Sequence, residues 1–247
     1  MAHTRIRLAD ARAMRPGPLY RWDAEVLVFT APDVAEYRLR SDAIQVAPSP
    51  GADPQQVAAL LIATALPALA WWRRALTLHA AAVVLPGATG AIAIAGPSGI
   101  GKSAVAAQLL ARGARLVADD SVAIDTVSDG FVASGLAGGY HLGDAERRFC
   151  PVAPDRSLRR APLAAILLLA RDARAPLLIP LGPLAAMPCL LAAQHRPRVP
   201  AMLGRRAEVL DACARLARAI PIYAWNRAYA APDLTAHEWD ELARIGG

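Results

Sequence analysis

The sequence predicts an α/β fold, with helices flanking a β-sheet, entered through a small β-rich N-terminal lobe. Three observations predict it. Up to about Pro50, short apolar bursts alternate with polar positions and are separated by Pro, Asp and Ser; from Gln55 onward, helical stretches alternate with apolar β-type runs; and Gly96-Pro97-Ser98-Gly99-Ile100-Gly101-Lys102-Ser103 joins one such run to one such helix. The expected division puts the small lobe and its connecting helix at residues 1–75 and the larger domain at 76–247.

In the lobe, Glu25–Phe29, Glu36–Arg40 and Ala43–Val46 read as strands. Pro48-Ser49-Pro50-Gly51-Ala52-Asp53-Pro54 then breaks the chain. Asp53 is placed to cap a helix with Pro54 in its first turn, and Gln55–Trp72 reads as a helix apolar nearly all round, which must be covered. Leu76–Leu85 is a β-type run, Pro86–Gly90 a turn, and Ala91–Ala95 a strand that pairs back and enters the glycine-rich loop. After the loop, Ala104–Ala111 is helical and Gly113 stands where a C-terminal cap is expected. Arg115–Ala118 is a short strand that delivers Asp119-Asp120, and Ser121–Asp125 with Gly130–Ser134 forms a hairpin. Gly135–Asp144 is too glycine-rich and irregular for an element and reads as a surface loop near the site. Leu163–Ala170 and Leu177–Leu181 read as strands, Pro183–Gln194 and Gly204–Ala219 as helices, and Ile220–Trp225 as the last strand. A Thr235/Glu238 capping box opens a final helix, Thr235–Ile245.

Composition narrows the class. With 247 residues, 55% of them hydrophobic, the chain can bury a full core, which excludes disorder and fibrous classes. The net charge of +6 and an Arg-dense second half suit an anionic ligand or equally a solvated basic face. Basic and aromatic residues do not interleave as in single-strand binders, so nucleic acid is not expected as a partner. Cys150, Cys189 and Cys213 are odd in number and lack a C-x-x-C pair, which points away from a disulfide framework or zinc and toward the reducing cytoplasm. The first residues carry no stretch resembling a signal peptide. Val57–Trp72 is the one run apolar enough to suggest a membrane span, but it is short for a bilayer and contains Pro67, so a buried or interfacial helix is expected. Nothing in the sequence speaks against a homo-oligomer.

The loop matches G-x-x-x-x-G-K-S in the strand–loop–helix context that motif requires. Glycines let backbone N–H groups turn inward around phosphate oxygens, and the next helix presents its positive end. Lys102 would reach a transferable phosphate, and the Ser103 hydroxyl would ligate Mg²⁺; Gly96, Ser98, Gly99, Ile100, Gly101, Lys102, Ser103 and Ala104 are the expected nucleotide contacts. An aspartate at the end of an apolar strand beside such a loop is the expected carrier of the metal or of its water, and here there are two. Neighbouring residues on a strand end point to opposite sides, so one carboxylate can face the metal and the other an incoming nucleophile. The plain alternatives are a glycine-rich turn and a polar turn that caps the strand.

The stretch from Leu78 to Ile124, LHAAAVVLPGATGAIAIAGPSGIGKSAVAAQLLARGARLVADDSVAI, resembles the catalytic core of the HPr kinase/phosphorylase family. Three linked motifs carry the likeness: a His before the loop strand, the G-x-S-G-I-G-K-S loop, and the R-G-x-R-L-V-A-D-D segment only a short way beyond it. The resemblance implies a phosphate-loop kinase core with a mainly β central sheet that uses ATP and Mg²⁺ to phosphorylate a serine. Carried over to this chain, Lys102 and Ser103 handle phosphates and metal, Asp119 is the general base and Asp120 stands on the magnesium side with Ser103. His79 would lie beside the catalytic pocket, although a core histidine at a strand end fits the same residues. Arg147 and Arg148 either neutralise phosphate charge or form a surface pair. Pro97 departs from the family pattern, and neither the family's N-terminal domain nor its later glycine-rich signature is found, so phosphorylase activity is not expected. The short lobe leading into an L-H-A-x-A-V run is more similar to compact HPr-kinase-like proteins of peptide natural-product clusters, including kinases of lasso-peptide precursors, which makes a peptide or small-protein serine the expected acceptor. A small-molecule phosphate-loop kinase and a non-catalytic nucleotide-binding regulatory module remain open readings.

Overall fold

Residues 4–10, 19–23, 25–135, 138–142, 148–172, 174, 177–228 and 233–246 are described by the computed structural model. They divide into two compact units, Met1–Arg74 with Arg196–Arg206, and Ala75–His195 with Ala207–Gly247.

The alternating N-terminal bursts become strands of one sheet. β1 (Arg5–Leu8), β2 (Tyr20–Asp23), β3 (Val26–Ala31), β4 (Ala35–Leu39) and β5 (Ala43–Pro48) are ordered β1-β5-β4-β3-β2, with only β1 and β5 parallel. Leu27, Phe29, Tyr37, Leu39 and Ile44 are buried, and the Phe29 and Tyr37 rings stack with centroids 5.3 Å apart. Burial pushes the Tyr37 hydroxyl up to about 12, and it donates to the Val57 carbonyl at 2.7 Å. β1 and β2 lie outside the expected strands.

Asp53 caps the helix as expected, accepting from Gln55 N–H at 2.9 Å with Pro54 at the first position. The helix is not uniform. It runs as α1 (Pro54–Leu60), a π-helical turn over Leu61–Ala65, and α2 (Leu66–Trp72). The cause is Pro67, which lacks an N–H and whose ring would press on the carbonyl four residues back, that of Ala63. The wider turn relieves the clash, and Ala63 O accepts instead from Arg196 Nε and Nη2 at 3.0 and 2.7 Å. Arg205 Nη1 likewise takes the terminal carbonyls of Trp71 and Trp72 at 2.9 and 2.7 Å. Pro54–Trp72, 19 residues, is long and apolar enough to cross a membrane, with mean hydropathy 1.3 over an 18-residue window, yet Ala65 and Pro67–Trp71 are buried in the folded chain.

In the second unit, the run Leu76–Leu85 is split at His79 into β6 (Leu76–Leu78) and β7 (Ala80–Val84). β8 (Ala91–Ala95) pairs antiparallel with β7 and leads through the glycine loop into α3 (Lys102–Ala111). β9 (Arg115–Ala118), β10 (Val122–Val127) and β11 (Gly130–Gly135) follow, the last two as the expected hairpin. Part of the expected loop Gly135–Asp144 is instead β12 (Gly139–Leu142), whose backbone pairs antiparallel with that of β13 (Arg148–Pro151). Leu136, Ala137, Gly143, Asp144 and Arg147 are outside the described residues, as is the Arg148 side chain.

β14 (Arg160–Ala170) pairs with β11 through its first residues and with β16 through its last. β15 (Leu178–Pro180), α4 (Pro183–Ala192), α5 (Arg198–Met202), α6 (Arg206–Ala219), β16 (Ile222–Asn226) and α7 (Ala236–Gly246) complete the chain, α5 being unexpected. The main sheet is ordered β6-β10-β11-β14-β8-β7-β9, with β16 also paired to β14 and β15 to β16. Only the β8–β14–β16 group is parallel. Val105 and Leu109 of α3 and Leu242 of α7 pack on Ile92, Ile94, Leu167 and Trp225, so the fold is α/β, sheet-dominated and flanked by helices. The capping box holds α7: Thr235 N–H donates to Glu238 Oε2 at 2.8 Å and Glu238 N–H to Thr235 Oγ1 at 3.1 Å.

Candidate functional site

The loop sits at the carboxyl ends of the parallel strands β8 and β14, where open α/β sheets leave a crevice. Gly96, Gly99 and Gly101 have φ of 156°, 77° and 104°, a path that L side chains resist. A Cβ on Gly96 would lie 3.1 Å from Leu169 O. Pro97, Ser98 and Gly99 are exposed at the mouth, as is Ala104 one turn into α3, while Ile100 is half-buried.

Lys102, the only lysine in the chain, is 6% exposed and donates from Nζ to Gly96 O at 3.0 Å and Pro97 O at 2.9 Å. Arg171, one residue past β14, donates from Nε and Nη2 to Ile100 O at 3.2 and 2.6 Å, and from Nη1 to Ala228 O at 3.1 Å. Two cations thus take the carbonyls of residues 96, 97 and 100 on the loop. Successive backbone N–H groups directed into such a loop form a concavity that binds anions.

Asp119 and Asp120 are both buried, and they do not share surroundings. Ser121 N–H donates to Asp119 O at 2.8 Å, closing a three-residue turn centred on Asp120, whose φ is 64°. That turn sends consecutive carboxylates different ways. Asp119 Oδ1 accepts from Ser103 Oγ at 2.8 Å, whereas the expectation put Asp120 on the Ser103 side. The Asp120 oxygens lie 3.6 Å from His79 Nε2 and 3.9 Å from His195 Nε2, and the two imidazoles stack with centroids 5.2 Å apart. His79 reaches this place because β6 leaves the β10 edge there and the chain passes to β8 and β9 as β7.

His195 had no signal in the sequence. It follows α4 and is held along β6 by His195 N–H to Thr77 O at 2.9 Å and His79 N–H to Ala193 O at 2.7 Å. Arg171 was equally silent, a basic residue at the end of an apolar strand.

Among the described residues no group of three His, Cys, Asp or Glu could hold a metal ion. A hydroxyl beside a single carboxylate, as in Ser103 and Asp119, instead fits a magnesium ion, which keeps waters and substrate oxygens in its shell and takes only one or two protein oxygens.

Residues 74–136, which contain the loop, His79 and both aspartates, match the family model for the HPr serine kinase C-terminal domain. This part of the chain is HPr-kinase-like. The solved structure of the HPr(Ser) kinase/phosphatase from Coxiella burnetii is similar over 68% of this chain and 96% of that one, at 15% identity and a TM-score of 0.44. No curated protein sequence matches the chain. The HPr-kinase-like segment ends at residue 136, so Arg171 and His195 lie beyond it.

Proposed function

We propose that the protein is an ATP- and magnesium-dependent phosphotransferase that phosphorylates the serine of a peptide or small protein in the cytoplasm. The observation that carries the reading is the separation of the paired carboxylates, Asp119 on the Ser103 hydroxyl and Asp120 beside the Nε2 atoms of the stacked His79 and His195. A pure nucleotide binder needs one carboxylate at the metal and has no use for a second, histidine-flanked one. The likeness to compact HPr-kinase-like proteins favours a precursor peptide as acceptor.

In this reading the roles of the two aspartates are exchanged relative to the carried-over assignment. Ser103 and Asp119 would hold magnesium, which would supply positive charge to the transferred phosphoryl group. Loop amides and Lys102 bind the nucleotide phosphates. Asp120 accepts the hydroxyl proton of the acceptor serine as its oxygen bonds to phosphorus and the bond from phosphorus to the bridging oxygen of the leaving ADP breaks. His79 and His195 orient the Asp120 carboxylate and keep it beside hydrogen-bonding groups in a buried place. The test is transfer of the terminal phosphate of ATP to serine-containing peptides, followed by mass spectrometry. Phosphoserine formed only with magnesium and only with Lys102 intact supports the reading, and nucleotide binding without transfer to any hydroxyl overturns it.

A further inference from the structure

We infer that Arg171 is a positioning residue for the nucleotide phosphates, the group that shapes the loop to receive them; the inference rests on the reading of the loop given above. Register places Arg171 there. β14 runs parallel to β8 with Leu168 opposite Ala95, so both strands end on the same side, one in the loop and the other in Arg171. The guanidinium then meets the Ile100 carbonyl through two N–H groups, a fork on a single oxygen that an ammonium on a flexible stem would not reproduce.

The guanidinium lies close over Gly101, whose φ of 104° suits glycine: a Cβ there would stand 2.7 Å from Arg171 Nη2, and the arginine tip would have to move to admit it. Consequences follow for the backbone. In a planar trans peptide the C=O and N–H point opposite ways, so pinning Ile100 O toward Arg171 turns the Gly101 N–H away from it. That amide belongs to the last residue before α3, where the helix presents its positive end. Arg171 therefore fixes the direction of a loop amide, and brings a permanent charge close to it, without donating to the loop's amide side. The third bond, to Ala228 O, anchors the guanidinium from behind.

The role is distinguishable from plain stability by the phosphate count of the ligand. Dissociation constants for adenosine, ADP and ATP are measured by calorimetry on the full chain, for the parent and for Arg171→Gln and Arg171→Lys. Losing charge-assisted bonds of this kind costs roughly ten- to a hundredfold in affinity. Arg171→Gln is expected to weaken ADP and ATP by that factor and leave adenosine unchanged. Arg171→Lys is expected to recover only part of the loss, and it carries the test if the Gln variant does not fold. Equal affinities for ADP in parent and variants overturn the inference alone, as does an equal loss for adenosine, which would mark a structural role. A parent that binds neither ADP nor ATP overturns the nucleotide reading and this inference with it.

Discussion

The Ser103 hydroxyl donates to Asp119 at 2.8 Å, while the next residue, Asp120, faces His79 and His195. Two adjacent carboxylates thereby work in separate surroundings, and each can be removed with a different result. Asparagine is the right probe, because it tolerates the positive φ of Asp120 and keeps the shape of both side chains. Asp119→Asn is expected to raise the magnesium concentration for half-maximal transfer, since it removes a charged oxygen from a hard cation. Asp120→Asn is expected to leave ATP affinity unchanged and to slow single-turnover transfer roughly 10²–10⁴-fold. The reverse pattern would restore Asp119 as base.

Lys102→Ala is expected to abolish transfer. Its Nζ bonds to loop carbonyls and alanine favours the helix, so far-ultraviolet circular dichroism should be that of the parent. Turnover at the parental rate would move the chemistry elsewhere in the molecule.

His195→Gln is expected to slow transfer by roughly ten- to a hundredfold at saturating ATP, the usual penalty for a catalytic group held slightly out of place, with the ATP dissociation constant unmoved. Stopped-flow mixing with a serine peptide separates the two quantities. A change confined to ATP affinity would exclude a role beside Asp120.

Arg227 and Glu238 form a buried pair, Nε to Oε1 at 2.6 Å, that joins the end of β16 to the capping box of α7. Burial pushes the Glu238 carboxyl upward, but donors from Arg227 and Thr235 outweigh it and hold the group below the usual carboxylate value. A depressed folded value means that the stabilisation is full at neutral pH and is lost as the pH falls through that value. Glu238→Gln should therefore cost about 3–5 kcal/mol near neutrality by stranding Arg227. Thermal melts from about pH 7 to about pH 3 should show the gap between parent and variant closing in acid; a constant gap would contradict the assignment.

Thiol chemistry offers an independent check on the packing. Cys213 is buried, which pushes its thiol up to about 11, while Cys150 and Cys189 are half-buried. Since the thiolate is the reactive form, a disulfide reagent near neutral pH should titrate two thiols in the native protein and the third only after denaturation. Three thiols reacting at one rate would mean that α6 is not seated as described.

Local chemistry made much of the fold legible. Asp53 and Pro54, the β7–β8 hairpin, the helix after the loop and the Thr235/Glu238 box each follow from neighbours within a few residues. What stayed hidden depends on distant partners. Tyr140 and Leu142 become a strand only because Arg148 and Cys150 lie opposite, and the π-helical turn before Pro67 is stabilised by Arg196. In the site, alternation along a strand separates Asp119 from Asp120 but does not say which faces Ser103. The strand has in fact ended, and the left-handed turn at Asp120 decides the directions. His195 and Arg171 are brought in by β6 and β14, pairings that no local pattern encodes.

The burial of Lys102 has a practical consequence, because there is no second lysine in the chain. An endopeptidase that cuts only after lysine has a single target, after residue 102 of 247, and that bond lies in the first turn of α3. Cleavage therefore requires the loop and the start of the helix to come apart locally, and any molecule that grips the loop slows it by mass action. The rate at which one band becomes two on a gel reports occupancy of the loop by any added nucleotide, with no acceptor identified and no phosphate transferred.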